Sequence, residues 1–421
     1  MKKTSPTAEI LSQGDEVVTG QTVDTNANWI AERLTGLGFT ILRHTAVGDR
    51  LADIRSLIRD AAARASVCIC TGGLGPTEDD LTAQAVSEAF DRPLELDTKS
   101  LDRIEGFYKR MNRPMPDVNR KQAYLPQGSI RLDNDWGTAP GFVIEQGESF
   151  LAFLPGVPRE MKQMIPHRVE PLLFDRFSLE PGRLVTLRTV GIGESALQEK
   201  IGSFKHPSVV LSYRTMHPEN QVKLRFPGNF PEEEIEKMVQ EVVEKIGSSI
   251  FSIEGLEAPG GSLVEVLARE LQARNERISI AEISTGGHLT ATCSAIDSWS
   301  NWLNEAVLLN ADASLSSIGI EERSVAGHGP ISAPVAAAMA ETIRTKSNAT
   351  YGLATTAMES LENTEGERAV GVVYVALACE KRTYTRKLRV FGDQGRIRRM
   401  GAAETLDLLR RLFDGSIEDV L

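Results

Sequence analysis

The chain has 421 residues, of which 41% are hydrophobic and 25% are charged, a composition typical of a globular protein with more than one core. A formal net charge of −11 disfavours general binding to nucleic acid, because the phosphate backbone would be repelled. No apolar stretch is long enough to span a bilayer, and no apolar signal core follows the charged N-terminus. We therefore expect a cytoplasmic protein without a membrane partner.

The four cysteines are few and widely separated, which does not suggest a disulfide scaffold. Cys68 and Cys70 flank Ile69 in an apolar run, and the alternation of a strand would place both on one face. Because the CxxC spacing of metal and redox sites is absent, we interpret them as small buried strand residues.

The first third of the chain alternates short apolar runs with segments of helical periodicity. The predicted strands are residues 8–11, 39–42 and 67–70. The predicted helices are residues 26–37, 51–65 and 81–90. This order implies a mainly parallel sheet covered by helices, with ligands at the carboxyl ends of the strands. Gly14, Asp15 and the loop that begins at Thr71 fall at that edge.

Two breaker-rich stretches, residues 174–182 and 257–261, are predicted to be linkers. The segment between them alternates as strands and then forms one amphipathic helix, which predicts a small α+β domain. The last segment again combines apolar strands and helices, which predicts a second α/β domain. We therefore predict domains at residues 1–173, 174–256 and 257–421.

The strongest local feature is the loop 71–80, with the sequence TGGLGPTEDD, between a predicted strand and a predicted helix. Gly72, Gly73 and Gly75 allow the backbone to approach a ligand, and N–H groups at a helix start can bind a phosphate. Thr77 can cap the helix and donate to a phosphate oxygen.

Two acids, Asp79 and Asp80, end the same loop. They are unfavourable beside a bare phosphate but suit a divalent cation that bridges to one. The loop therefore indicates a phosphate with a metal ion. The alternative is a capped tight turn with solvated acids.

Polar residues also follow the first two predicted strands. Asp15 is placed to bind a metal ion or a sugar hydroxyl. Asn26 suits an N-cap and a ligand contact equally well. Asp49 is either a further metal ligand or the cap of the next helix, and the cap is slightly favoured.

Three later segments also contain residue types that suit ligand binding. Residues 119–123 (NRKQA) hold cations and amides that suit phosphate or base recognition, and residues 137–141 (GTAPG) form a tight glycine loop. Residues 154–161 (LPGVPREM) lead from a predicted strand into a helix start that favours anions. Each segment alone has a structural explanation, but several in one domain favour a binding site.

These stretches together resemble the CinA (competence/damage-inducible protein) family and its molybdopterin-cofactor-binding-like (MoCF-like) domain. Residues 188–195 (RTVGIGES) resemble the middle segment of the family, and the resemblance covers essentially the whole chain. It implies a three-layer MoCF-like parallel-sheet domain, a small α+β KH-like domain and a C-terminal α/β CinA domain. Residues 191–193 do not supply the GxxG clamp of nucleic-acid-binding KH domains, so nucleic acid is not an expected partner.

For function, the resemblance implies hydrolysis of ADP-ribose to AMP and ribose 5-phosphate by the first domain. This activity would use a divalent metal (cobalt, magnesium or manganese), would be promoted by potassium, and would reside in a homodimer. A second hypothesis is a nucleotide or molybdopterin sensor without turnover.

On this basis, we predict catalytic roles for Asp79, Asp80 and Lys121, and metal binding by Asp80 with Asp49 or Asp15. Arg120 is the alternative to Lys121 for neutralising the leaving phosphate. The predicted substrate-binding residues are Gly14, Asp15, Asn26, Gly72, Gly73, Gly75, Thr77, Asn119, Gln122, Gly137, Thr138, Pro155, Gly156 and Glu160.

The C-terminal domain departs from the family, whose members deamidate nicotinamide mononucleotide. Ile283 stands at the position of the family's serine nucleophile, and Ser284 would point to the other face of the strand end. Leu309 and Ser314 replace the family's tyrosine and activating lysine. Since a nucleophile needs its base within hydrogen-bond reach, we predict a domain without deamidase activity and with a structural or regulatory role.

Overall fold

The computed structural model describes residues 6–257, 259–283, 285–310, 315–321, 327–358 and 370–421. The chain divides into two compact units, Met1–Arg183 with Pro227–Asn229, and Leu184–Phe226 with Phe230–Leu421. Gly228 belongs with the first unit because it packs so closely on Glu180 that a Cβ there would lie 2.8 Å from the Glu180 carbonyl oxygen.

The first unit is an α/β fold with a mainly parallel sheet, as predicted. Its strands are β1 (Thr7–Gln13), β2 (Thr40–Val47), β3 (Val67–Thr71), β4 (Leu94–Leu96), β5 (Tyr124–Pro126), β6 (Ile130–Leu132), β7 (Gly141–Gln146) and β8 (Ser149–Leu154). Its helices are α1 (Asp15–Val18), α2 (Thr25–Gly36), α3 (Leu51–Arg64), α4 (Thr82–Phe90), α5 (Thr98–Arg110), α6 (Pro158–Met164) and α7 (Glu170–Arg176).

Six strands form one sheet in the order β2-β1-β3-β8-β7-β6, and β4 pairs separately with β5. Strands β2, β1, β3 and β8 are parallel, whereas β7 and β6 continue the sheet antiparallel. The inner parallel strands β1, β3 and β8 are buried on both faces, as expected when helices cover both sides, whereas the edge strand β2 is largely exposed.

Alternate residues of the central strands enter two separate cores. Ile10 and Ile69 pack with Ile30 of α2 on one face. Cys68 and Cys70 face the other side, toward α3 and α4, and their Sγ atoms are 3.6 Å apart. Both thiols are free and buried, which confirms the interpretation of these cysteines as strand residues of the core.

Several predicted boundaries and caps are wrong in detail. The predicted linker at 174–182 begins inside α7, which continues to Arg176. Asp24, rather than Asn26, caps α2 by accepting a 2.8 Å hydrogen bond from the Ala27 N–H. Arg50, rather than Asp49, occupies the cap position of α3.

Thr77 does not cap the helix that follows its loop. The cap position of α4 belongs to Leu81, which makes no side-chain cap. Helix α4 begins at Thr82, five residues after Thr77, so Thr77 makes the contacts described below instead.

The second unit contains a four-stranded and a five-stranded sheet. Its strands are β9 (Arg183–Val190), β10 (Val210–Met216), β11 (Glu219–Phe226), β12 (Ile250–Glu254), β13 (Ile278–Ile283), β14 (Leu303–Leu309), β15 (Tyr351–Met358), β16 (Val370–Ala378) and β17 (Thr383–Phe391). Its helices are α8 (Glu194–Ile201), α9 (Glu232–Ile246), α10 (Leu263–Arg274), α11 (His288–Ser294), α12 (Ala333–Lys346) and α13 (Gln394–Asp414).

The two sheets have the orders β10-β11-β9-β12 and β14-β13-β15-β16-β17. Helices α8 and α9 share a core with the first sheet. Helices α10, α11 and α13 cover one face of the second sheet, and α12 covers the other. The predicted division of the chain into three domains stays a prediction, since the contacts separate two units.

A buried charge cluster on α13 joins the two sheets of the second unit. Asp407 accepts hydrogen bonds from Arg410 (2.7 Å) and Arg411 (2.6 Å), and its side chain is 1% exposed. Arg410 also donates to the backbone oxygen of Ser248, just before β12, at 2.8 Å. Across the described part of the chain, no helix is long and apolar enough to cross a membrane.

We expect Asp407→Asn to lower the free energy of unfolding by about 3–5 kcal/mol, because it leaves buried Arg411 without a counter-charge and Arg410 with Asp414 alone. Asp414→Asn is the matched control, since Asp414 pairs with Arg410 from a side chain that is 41% exposed. The control substitution is expected to lower the free energy of unfolding by about 1 kcal/mol or less. Urea unfolding measures both, and equal losses would contradict a central role for Asp407.

Candidate active site

The carboxyl ends of four parallel strands bring most of the predicted site residues of the first unit to one edge. Strands β1, β2, β3 and β8 end there at Gln13, Val47, Thr71 and Leu154. Gly14, Asp49, Gly72 and Pro155 lie in the loops that follow. The structure therefore places these residues at the sheet edge that the predicted strand order indicates.

The glycine loop closes around the carboxylate of Asp80. The backbone N–H groups of Gly75 and Thr77 each donate to Asp80 at 2.8 Å, to Oδ1 and Oδ2 respectively. The Thr77 hydroxyl donates to the same Oδ2. Position 75 must be glycine, because a Cβ there would lie 2.4 Å from Oδ2. The donors predicted for a phosphate thus converge on one anionic group of the protein.

A 3₁₀ turn, Asp117–Ala123, supports this loop from outside. Gln122 donates to the Leu74 carbonyl at 3.3 Å, and Asn119 donates to the Gln122 side chain at 3.0 Å. Both amides are buried, so they position the loop. Lys121 is exposed, and its Nζ donates to the Thr77 carbonyl. Of the predicted residues in this turn, Lys121 alone presents a charge beside the loop.

Asp15 and Asp49 form a reciprocal pair. The Asp15 N–H donates to Asp49 Oδ2 at 3.0 Å, and the Asp49 N–H donates to Asp15 Oδ1 at 3.1 Å. Gln13 donates to the other oxygen of Asp49 at 3.0 Å and accepts from the Thr82 hydroxyl. Sequence reasoning did not identify Gln13 or Thr82, because a glutamine at a strand end carries no distinctive pattern.

The structure does not gather the three predicted metal ligands into one cluster. Within the described ranges, no group of three or more His, Cys, Asp or Glu side chains is placed to hold a metal ion. Both oxygens of Asp80 accept hydrogen bonds from its own loop. Asp15 and Asp49 are the two predicted ligands that lie together, so a divalent ion fits only with additional ligands from a substrate.

Asn26 links α2 to the other loops of this edge. Its Nδ2 donates to the Gly156 carbonyl at 2.8 Å and to the Thr71 hydroxyl at 3.2 Å. Thr71 in turn donates to the Pro155 carbonyl at 3.0 Å. The buried Oδ1 of Asn26 has no donor. A buried acceptor without a partner is unfavourable, and a ligand hydroxyl or amine that reached this atom would satisfy it.

Glu160 lies in the first turn of α6, against the Gly137 loop. Burial raises the pKa of its carboxyl, and a 2.7 Å hydrogen bond from Asn134 opposes that effect. Gly137 is packed so tightly that a Cβ would meet the Glu160 carboxylate at 2.2 Å. Thr138 lines a neighbouring cleft of about 290 Å³. Asn134, which sequence reasoning missed, fixes Glu160 relative to this loop.

Asp79 lies next to Asp80 but points into solvent. Proximity to the Thr77 hydroxyl lowers the pKa of its carboxyl, with a smaller contribution from the charge of Lys121. Asp79 therefore remains ionised at neutral pH and adds negative charge at the mouth of the loop.

In the C-terminal domain, a buried carboxylate holds the turn that follows β13. Glu282 is fully buried and accepts hydrogen bonds from the Thr285 hydroxyl (2.7 Å) and the Thr290 N–H (2.8 Å). Ile283 is 1% exposed and packs in the apolar core on the α12 face, with Leu309 at the edge of that core. Ser284 and Ser314 lie outside the described residues.

Comparisons with known proteins identify the family of each domain. Residues 9–175 match a family described as a probable molybdopterin binding domain, and residues 261–413 match the CinA C-terminal domain. A putative competence-damage inducible protein of Acetivibrio thermocellus is 35% identical over 412 residues, which cover 96% of this chain and 98% of that protein. A CinA-like protein of Anaeromyxobacter dehalogenans is 34% identical over 406 residues, with the same coverage of both chains.

A solved structure of the protein CinA from Thermoplasma acidophilum is 30% identical, covers 40% of this chain and 98% of its own, and has a TM-score of 0.38. The full-length relatives and the two family matches bear out the resemblance of the sequence motifs. The chain belongs to the CinA family of competence/damage-inducible proteins.

Proposed function

We propose that the first domain hydrolyses a nucleotide pyrophosphate, with ADP-ribose as substrate and AMP and ribose 5-phosphate as products. The observation that carries this proposal is the meeting of the Asp15–Asp49 pair and the unpartnered Oδ1 of Asn26 at the carboxyl edge of the sheet. Paired carboxylates suit a divalent ion that also binds phosphate oxygens of a substrate. Membership of the CinA family supports the choice of substrate.

In the proposed reaction, the oxygen of a water molecule bonds to one phosphorus as the bond from that phosphorus to the bridging oxygen breaks. The bridging oxygen leaves with the other phosphate, and the two protons of the water are shared between the products and the solvent. Asp80 would hold the glycine loop in its closed shape through Gly75 and Thr77, and Lys121, beside that loop, would neutralise charge on a phosphate. Asn26 Oδ1 would accept a hydrogen bond from a hydroxyl of the ribose.

We propose that the reaction requires a divalent ion (cobalt, magnesium or manganese) and is promoted by potassium. Asp15 and Asp49 would hold the divalent ion, because divalent ions at phosphate sites commonly use one or two carboxylates together with substrate oxygens. Bound there, it would neutralise charge on the pyrophosphate.

The direct test is incubation of the purified protein with ADP-ribose, FAD and NAD. Each reaction contains one of the three divalent ions plus potassium, and the products are separated by chromatography. AMP formed from ADP-ribose supports the proposal. Bound ligand without turnover of any substrate would replace it with the second hypothesis, a nucleotide or molybdopterin sensor.

Asp80→Asn is expected to lower kcat/KM for ADP-ribose by about 10²–10³-fold. An amide has one acceptor oxygen and cannot accept from both N–H groups of Gly75 and Thr77, so the loop would lose its closed shape. Glu78→Gln is the matched control, because Glu78 is an exposed neighbour in the same loop. Both variants should keep the wild-type melting temperature. A folded Asp80→Asn variant with full turnover would remove Asp80 from the mechanism.

Lys121→Met is expected to raise KM for ADP-ribose about tenfold or more, because a hydrogen bond to a charged group contributes about 1.5–3 kcal/mol. The increase should shrink at high salt, which screens an exposed charge. Lys99→Met removes an exposed charge elsewhere in the domain and serves as the control. Equal KM values for both variants at low salt would contradict a contact between Lys121 and the substrate.

For the C-terminal domain, we expect no release of ammonia from nicotinamide mononucleotide. The position of the family's serine is Ile283, whose side chain has no hydroxyl and is buried in a core. Ile283→Ser alone should not restore activity, since Leu309 and Ser314 still replace the tyrosine and lysine. A glutamate dehydrogenase-coupled ammonia assay measures both proteins, and turnover by the wild type would contradict the prediction.

A further inference from the structure

The outer strand of the four-stranded sheet, β10, has one free edge. It pairs with β11 in an unbroken antiparallel register, from Val210 opposite Arg225 to Met216 opposite Glu219. Within the part of the chain that the structure describes, no backbone hydrogen bond reaches the other edge of these seven residues. A regular row of unpaired N–H and C=O groups is a template for a strand of another chain.

The other sheet edges that the structure describes carry features that oppose such pairing. Edge strands β2, β12 and β14 each contain a bulge, and β4, β5 and β6 have three residues each. Strand β17 is long and regular, but it carries three cations, Arg386, Lys387 and Arg389. Bulges, short length and charge are the usual protections of an edge. Strand β10 is long, has no bulge and carries one charge, Arg214.

Two large apolar side chains are exposed on this unprotected strand. Val210 is 61% exposed and Met216 is 44% exposed, at its two ends. An even number of residues separates them, so both lie on the same face of the sheet. Leu211 and Tyr213 lie on the other face, against the core that α8 and α9 share with the sheet. A long, flat edge with exposed apolar residues favours association with another strand.

The sequence of β10 is complementary to a second copy of itself. When two copies pair antiparallel over all seven residues, Tyr213 lies on the two-fold axis, opposite Tyr213 of the second copy. Val210 then lies opposite Met216 of the second copy, and this apolar pair occurs twice. Ser212 lies opposite Arg214, so no like charges are directly opposed. Apolar cross-strand pairs stabilise a sheet, whereas opposed like charges destabilise it.

A cleft beside the same edge would also be covered by a second copy. Its volume is about 640 Å³, and Leu211 and Tyr213 line it together with Phe204 and Val209. Opposed residues of an antiparallel pair project from the same face of the joined sheet. Leu211 and Tyr213 of the second copy would therefore lie on the face where the cleft opens and would extend its apolar lining.

We propose that β10 pairs with β10 of a second copy of this chain, which joins the two four-stranded sheets into one continuous sheet. Such an interface is isologous, since the same strand contributes the same residues from both sides of the axis. It satisfies the free backbone edge, opposes the two exposed apolar residues to each other and covers the cleft. The proposal does not depend on the proposed function of the first domain.

The first test is analytical ultracentrifugation of the full chain over a range of concentrations, in which a dimer is expected. The double variant Val210→Lys/Met216→Lys places lysines opposite each other across the axis. It is expected to raise the dissociation constant of the dimer about tenfold or more. Val118→Lys is the matched control, because Val118 is a valine of the first unit that is also 61% exposed. Thermal melting confirms that each variant is folded.

The second test examines the register by thiol cross-linking. Cys379→Ser serves as the background, since Cys379 is partly exposed and the other three cysteines are buried. Tyr213→Cys, on the axis, should be linked to its copy by a short bismaleimide reagent. Ser208→Cys is the control, because position 208 is exposed but lies five residues from the axis. Its two copies would be about 34 Å apart and should stay unlinked.

Three results would overturn the proposal. The first is a monomeric wild type at every concentration, which would leave the β10 edge for an extended peptide of another protein. The second is a dimer whose dissociation constant is the same in the double lysine variant and in Val118→Lys. The third is equal cross-linking of Tyr213→Cys and Ser208→Cys. Each readout is separate from ADP-ribose turnover, so failure here leaves the proposed function of the first domain untouched.

Discussion

The side chain of Gln13 connects the loops on which the candidate active site depends. Its amide donates to Asp49 after β2 and accepts from Thr82 at the start of α4. Gly72 packs against the Gln13 backbone so closely that a Cβ would lie 2.3 Å from the Gln13 carbonyl oxygen. An amide suits this position because it donates and accepts at once, whereas a carboxylate would repel Asp49. One residue at the end of β1 thus fixes the loops that follow β2 and β3.

Sequence periodicity predicts the central strands and helices of the first unit because they are buried in regular patterns. Residues 67–70 and 51–65 lie within a residue of the observed β3 and α3. The short pair β4 and β5 escapes prediction, since three-residue strands carry no period. Caps are also difficult to predict, because Asp24 and Asn26 are both good capping residues and loop geometry alone decides between them.

For the candidate site, too, the sequence predicts some features and misses others. Its location follows from the parallel strand order, which the sequence predicts. The partner of each side chain does not, because Asp80, Gly75 and Thr77 meet only once the loop has closed. Gln122 and Asn119 look like ligand-binding amides in the sequence, but the fold buries them beneath the loop. A glycine in such a motif indicates a close approach without revealing whether a ligand or a protein side chain makes it.

The position of Asp80 gives the proposed reaction an electrostatic reason to need cations. A pyrophosphate at this loop would lie beside Asp80 and the ionised Asp79, and like charges in close contact are strongly unfavourable. Lys121 is held next to them by the Thr77 carbonyl, but one exposed lysine offsets only part of that repulsion. A divalent ion at Asp15 and Asp49 would supply the remaining positive charge.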